Sequence, residues 1–324
     1  MSKEQLKETY AGSNGKVCAL CGLPIEGEYY LYDTDRINPK ANGGDYAEGN
    51  YRIAHPGCHM RRHGTYRERV TLIEELKAII DDRVQIMKMY NKVNNQLKAY
   101  ERRTDVLNKG TLDFLELKSV EMKSILTDRG KTLKKLVQEI AKTDQLAKSA
   151  LGVKGVGEIT VGYCLSYINL EKARHASSLW SYCGLDKPSH SRYEKNVAGG
   201  GNKSLRTQLY TMAESQMKGK NNGSGYGFIY DWEKAKKENS TEIVKSRNRQ
   251  GKLIEVEWKG TMPSHRHAHA LRMVIKHFLA DYWYVGRTIL GLPTTAIYAE
   301  AVLKSGHRMI MPEERGWIYR EPGK

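Results

Sequence analysis

Phenylalanine is scarce in this chain, with 3 residues against 20 tyrosines, and nowhere do eighteen apolar residues run in succession. The second absence excludes a membrane-crossing helix from the sequence reading. A membrane surface would call for a basic amphipathic helix beside an apolar anchor, which is also missing, so no membrane partner is expected. The opening MSKEQLKETY is polar and does not read as a secretory leader. Five cysteines are too few for a disulfide framework in 324 residues, and Cys164 and Cys183 fit a reducing, cytoplasmic interior. Acidic residues are in deficit. Lys plus Arg number 53 against 37 Asp plus Glu, a net charge of +16, which points to a polyanionic partner, with nucleic acid first and DNA the expected form. Tyrosine in place of phenylalanine adds surface able to stack on bases or hydrogen-bond phosphates, although most of it serves ordinary packing. A hydrophobic content of 40% supports globular folding, and the length predicts two or three domains.

Three cysteines cluster near the start. Cys18 and Cys21 form a C-x-x-C turn, and His55 and Cys58 form a second knuckle, together four N/S donors suited to one tetrahedral, structural Zn²⁺. Between the knuckles stand Asp35-Arg36-Ile37, Gly43-Gly44 and Asn50, and His59 follows the last cysteine. This order resembles the H-N-H endonuclease family, with its ββα-metal fold. The resemblance implies that Asp35 and His59 hold a catalytic Mg²⁺ or Mn²⁺ and that Asn50 fixes the loop carrying the general base. The base position here is Arg36, and a guanidinium cannot take a proton from water. Three readings follow: a module that keeps its zinc fold and has lost cleavage, one that recruits a neighbour such as His63 as base, or one that uses Arg36 on phosphate.

After the basic Arg61-Arg62-His63-Gly64 the pattern turns helical. Apolar residues recur at helical spacing from Tyr66 to Leu97 without a proline, Asn108-Lys109-Gly110 gives a stop, and a second periodic stretch runs from Leu115 to Ile140. Two such helices predict an antiparallel coiled-coil hairpin whose exposed seam would pair with another copy of the chain. Two helices of a larger bundle fit the same pattern.

At Leu151 the composition shifts again. Gly152 to Thr160 is a glycine-punctuated turn opening a helix, as in helix-hairpin-helix elements, and its freed amides suit a DNA phosphate. Ser177 to Leu185, a loop with Ser189, Ser191 and Arg192, then Gly199 to Arg206, His267 to Arg272, and Tyr298-Ala299-Glu300 follow in order. The series resembles the C-terminal domain of the transposases of bridge-RNA-guided insertion sequences, over about residues 151–311. That resemblance implies a serine nucleophile, Ser191 or its neighbour Ser189, which forms a phosphoserine link to DNA, and it keeps a guide-like RNA open as a further partner. His190 is a candidate base, and Arg192, Lys195, Lys203 and Arg206 are placed to supply charge. The family's carboxylate-bearing ribonuclease-H-like domain has no counterpart before residue 150.

Lys218 to Gly227 reads as a flexible cationic linker opening a basic insert, 218–258. The alternating His265, His267 and His269 lack the glutamate of a zincin helix. The expected architecture is mainly α: a ββα zinc module at 1–64, a helical hairpin at 65–150 and a helix-hairpin-helix transposase-like domain at 151–324. The expected nucleic-acid contacts are Lys154, Gly155, Gly157, Thr160, Arg192, Lys203, Arg206 and Lys220. The expected function is DNA strand cleavage by a phage or mobile-element protein, with a non-catalytic DNA- or RNA-binding regulator as the alternative.

Overall fold

The computed structural model describes residues 3–20, 22, 24–25, 33–38, 45, 49–55, 58–59, 65–102, 109–186, 201–294 and 311–319. Cys21, Gly43, Gly44, His63, Ser189, His190, Ser191, Arg192, Lys195 and the Tyr298–Glu300 stretch lie outside them. The described chain is mainly helical, with two small two-stranded sheets. No helix among the described residues is long and apolar enough to cross a membrane.

The N-terminal part comprises α1 (Lys3–Asn14), β1 (Asp33–Arg36) and β2 (Tyr51–Ala54), the two strands pairing antiparallel with Asp35 opposite Arg52. Cys18, Ile25, Ile53 and Ala54 form its small core, with Tyr10, Ala11 and Cys58 packed against it.

Two long helices follow, α2 (Thr65–Glu101) and α3 (Lys109–Thr143). Ser119 donates to Asn94 at 2.7 Å and Arg129 to Asp82 at 2.6 Å. As the residue number falls on one helix it rises on the other, so the pair is antiparallel. At about 1.5 Å per residue each helix runs some 50 Å. Ile86, Val93 and Leu126 are buried along the seam, and the half-buried Ser119–Asn94 pair is a polar contact of the kind that pins register. Phe114, Leu117 and Val120 stand exposed on the far part of α3.

The hairpin's root belongs to a larger core. Leu76 and Ile80 of α2 and Leu133, Val137 and Ile140 of α3 are buried in one cluster with the helices that follow: α4 (Gln145–Gly152), α5 (Glu158–Tyr167), α6 (Ala176–Tyr182), α7 (Lys203–Lys218), α8 (Gly227–Glu238) and α9 (Pro263–Ile289). The two readings of the sequence thus apply to different ends of the same helices, a hairpin at the tip and a bundle at the root. Asp144 caps α4 by accepting from the Ala147 amide at 2.8 Å. Gly162 lets α5 lie against α3, since a β-carbon there would stand 3.1 Å from Val137.

α9 is the central strut. Val274, Ile275, Phe278, Leu279, Tyr282 and Trp283 are buried along it, and the Trp283 indole donates to the Ala173 carbonyl at 2.7 Å. The fully buried Asp281 accepts from Arg315 through two nitrogens and from the Tyr226 hydroxyl, each at 2.5 Å. Trp317 donates to that same tyrosine oxygen at 2.7 Å. Residues 311–319 are thereby fastened onto α9.

The 218–227 stretch departs from the linker that its sequence suggested. Lys220–Asn222 is a 3₁₀ turn, Ser224 donates to the Gln216 carbonyl at 2.7 Å, and a β-carbon on Gly225 would collide with the Arg315 carbonyl. Its glycines serve close packing rather than freedom. Beyond α8, β3 (Ile243–Arg247) and β4 (Leu253–Glu257) form a hairpin whose Ser246 hydroxyl meets His265 Nδ1 of α9 at 2.7 Å.

Burial pulls the His277 pKa down to about 4, and Arg315 and Lys276 push the same way against an opposing Glu233. Its folded pKa lies below the ordinary value of about 6.5, so the unfolded chain binds the extra proton first as pH falls. We expect stability supplied by neutral His277 to be intact above pH about 6.5 and to decline toward pH 4, by up to about 3 kcal/mol. Chemical denaturation from pH 7 to 4 would show it, and His277→Gln should flatten that acid limb; an unaltered limb in the variant would refute the assignment.

Candidate metal centre and nucleic-acid interface

The first knuckle is a tight hairpin. Val17 pairs with Pro24, the Gly22 amide donates to the Cys18 carbonyl at 2.8 Å, and Gly22 takes a left-handed φ of 72°. Glycine tolerates that conformation without strain. The Ala19 amide donates to the Ile53 carbonyl at 3.0 Å, fastening the knuckle to β2. From the end of β2, His55 and then Cys58 come back to Cys18, and the ligating atoms of the three all lie within 4.8 Å of one another. These three residues could hold a metal ion. Burial lowers the His55 pKa, opposed by its hydrogen bond to the Pro24 carbonyl. A carbonyl partner behind the imidazole is a usual companion of a metal-binding histidine.

Next to Cys58, His59 turns the other way, to the β1–β2 sheet. Its Nδ1 lies 3.1 Å from Asp33 Oδ2 and its Nε2 lies 3.6 Å from Asp35 Oδ1. Asp35 is fully buried, and its second oxygen accepts from Arg52 Nε at 2.9 Å. The structure therefore brings Asp35 and His59 together, as the H-N-H resemblance implies, and adds Asp33, which the sequence reading missed. Its signal was available: Asp33 and Asp35 are two apart on a strand, so they share a face. Arg52 was missed too, because cross-strand register cannot be read from one strand alone.

The Asn50 side-chain oxygen accepts from the Asn38 amide at 2.7 Å and its amide nitrogen donates to the Asp45 carbonyl at 2.6 Å, both in the stretch between the two strands. Arg36 closes β1, half-buried, opposite Tyr51.

In the helical part, Gly155 has a φ of 89°, and a β-carbon there would stand 2.6 Å from the Gln216 amide. Gln216 is fully buried; it donates to the Lys154 carbonyl at 2.9 Å and accepts from the Tyr226 amide at 3.1 Å. Gly157 caps α5 with open space where a side chain would be and no side-chain cap. Glu158 sits in that first turn and accepts from Gln138. Thr160, expected among the phosphate contacts, instead faces inward: it is buried, with its hydroxyl accepting from Gln208 of α7 at 3.2 Å. Lys220 is spent largely on Asp231, at 2.8 and 2.9 Å.

The segment that carries Ser191 lies outside the described residues, but its two ends are fixed. Gly201 packs directly on Gly184, where a β-carbon would come within 2.6 Å of the Gly184 amide, and Asn202 donates its amide to the Tyr182 carbonyl. Lys203 opens α7 beside this closure, and Arg206 reaches the Gly184 carbonyl at 3.4 Å.

No family model matches this chain, and no curated protein matches it.

Arg52 answers one oxygen of the buried Asp35 with a full charge. We expect Arg52→Met to destabilise the N-terminal module by about 3 kcal/mol, since it removes one charged partner of a buried carboxylate. Adding Asp35→Asn should recover part of that loss. Hydrogen exchange of the β1–β2 amides reads both effects, and equal protection in Arg52→Met and the parent would contradict the role given to Arg52.

Proposed function

We propose that this protein binds DNA and cleaves a strand of it, as a zinc-organised relative of the H-N-H endonucleases and of the insertion-sequence transposases that its motifs resemble. The observation that carries the reading is the approach of His59 to Asp35, from elements 24 positions apart in sequence, with Asp33 orienting the imidazole from its other nitrogen. A carboxylate–histidine pair of this kind is how a ligating imidazole is aimed, and a spacing of 3.6 Å between Nε2 and Oδ1 suits two ligands of one ion.

Zinc fits the first cluster by its chemistry, two thiolates and an imidazole, with Cys21 supplying the fourth donor. Asp35 and His59 would hold Mg²⁺ or Mn²⁺, whose contribution when bound is to stabilise charge on a phosphodiester. Arg36 offers a permanent cation to the same phosphate. The helical part would grip the backbone through the N-terminal turn of α5 with Lys154, while Lys203 and Arg206 stand near the described ends of the segment bearing Ser191. A covalent attack by Ser191 is the second route to cleavage that the resemblance implies. Two observations favour the other reading, a DNA- or RNA-binding regulator without catalysis: Arg52 already holds one oxygen of Asp35, and an arginine stands where the base should be.

Purified protein should carry about one zinc per chain and should retain DNA with strong salt dependence. On supercoiled plasmid with Mg²⁺ or Mn²⁺ we expect relaxation. Loss in His59→Ala alone marks the metal route; loss in Ser191→Ala alone, with protein bound covalently to a DNA end in the parent, marks the serine route. Binding without relaxation would establish the regulator, and absence of both zinc and DNA retention would overturn the proposal.

A further inference from the structure

One face of α9 carries His265, His269, Arg272 and Lys276 at successive turns of the helix. The two histidines have partners: His265 Nδ1 meets the Ser246 hydroxyl at 2.7 Å and His269 Nε2 meets Glu233 at 3.3 Å. The two cations that follow are both half-buried, and among the described residues neither side chain forms an ion pair. Arg272 Nε is sealed from solvent with no hydrogen-bond partner. Lys276 is held in place by Trp180 of α6, whose indole donates to the Lys276 carbonyl at 3.0 Å and whose ring centre lies 5.0 Å from the ammonium. Burial and the neighbouring Arg272 lower the Lys276 pKa, against an opposing Asp186.

Two like charges one turn apart repel each other, and a buried guanidinium nitrogen without an acceptor costs free energy. An anion held between the two side chains relieves both. Phosphate suits the pair, because a guanidinium forks onto it while an ammonium serves it as a point charge. The excess of cations in the whole chain favours a phosphate carried on a polymer. The position also adjoins the cations at the start of α7. Arg206 reaches the Gly184 carbonyl at 3.4 Å, and Asp186, which acts on Lys276, lies two residues further along the chain.

We propose that Arg272 and Lys276 form a phosphate-binding site on α9, filled by one phosphate of the DNA backbone. The inference rests on the DNA-binding reading above and goes beyond it in naming a contact that neither the glycine turn nor the start of α7 supplies. Such a contact carries no sequence information; it fixes the position of the backbone on the helical part. Trp180 restrains Lys276 through both its ring and its indole bond, so that side chain loses little conformational entropy on binding.

The test uses the full chain, with a duplex oligonucleotide and inorganic phosphate as separate probes, and with Arg272→Gln and Lys276→Gln made singly and together. The double variant should bind duplex at least about tenfold more weakly at low salt, by similar factors on unrelated sequences, and the slope of log affinity against log salt should be shallower by about one. Each single variant should show part of that loss. The melting temperature of the double variant should equal or exceed that of the parent, since a repulsion is removed. Inorganic phosphate, at an ionic strength matched with chloride, should raise the melting temperature of the parent and not that of the double variant. Equal affinity and equal salt dependence in the two proteins, with the parent binding duplex, overturn the site and spare the DNA-binding reading. A lower melting temperature with unchanged affinity also overturns it, by assigning the pair to packing. Polyglutamate that binds the parent as tightly as duplex, and weakens equally in the variant, overturns the assignment to phosphate. If the parent binds no duplex while phosphate still stabilises it and not the variant, the anion is a free phosphate compound and the DNA-binding reading falls; if neither probe binds the parent, both fall.

Discussion

A carboxylate removed from water must be answered by charge or by hydrogen bonds, and Asp281 is answered from two other segments at once. Arg315 supplies two nitrogens, Tyr226 a hydroxyl, and Trp317 completes the chain of donors through that hydroxyl. Burial pushes the Asp281 pKa up while Arg315 and Tyr226 pull it back. A buried pair of this sort adds little net stability over an apolar equivalent, but losing one partner is costly. Its effect here is positional. Tyr226 both bonds Asp281 and donates its amide to Gln216, which in turn holds the Lys154 carbonyl. One buried charge thus relates the central strut, the C-terminal segment, the start of α8 and the glycine turn.

That chain of contacts explains why the surface features are where they are. Gly155 and Gly225 are pressed against Gln216 and Arg315, so the backbone around them is fixed and the residues beside them are presented rigidly. Lys154 sits on this frame. On the proposed reading, a rigidly held cation would lose little conformational entropy on meeting a phosphate, whereas one on a flexible tail would lose more. The charge is also less diffuse than +16 suggests. Lys220, Lys237, Lys245 and Lys259 each pair with a carboxylate nearby.

What the sequence made legible follows from the range of the interactions. Cys18, His55 and Cys58 were readable because metal donors have few other reasons to recur at such spacing, and the long helices were readable because their apolar period is local. Asp33 could have been read from its spacing to Asp35 on one strand, but Arg52 and Gln216 could not, since each acquires its role from a partner 17 or 62 positions away. Lys218 to Gly227 was misread for a related reason: glycine and lysine together look like a linker until the neighbours that crowd those glycines are known.

Consecutive residues Cys58 and His59 tie the two candidate centres of the N-terminal part together. One points to Cys18 and His55, the next to Asp33 and Asp35, and the His59 amide donates to the His55 carbonyl at 2.9 Å. Among the described residues the module's apolar cluster is Cys18, Ile25, Ile53 and Ala54, and small cores of this kind are commonly reinforced by a metal. On the proposed reading, the ion bound by the cysteines supplies the missing rigidity, and the orientation of His59 toward Asp35 is a consequence of it. A structural metal would then set the geometry of the reactive pair without touching substrate, and the cysteine knuckle would be needed by a binding module and by a cleaving one alike. The difference between those two uses lies in Arg36 and Arg52, whose guanidinium groups stabilise anions but cannot accept a proton.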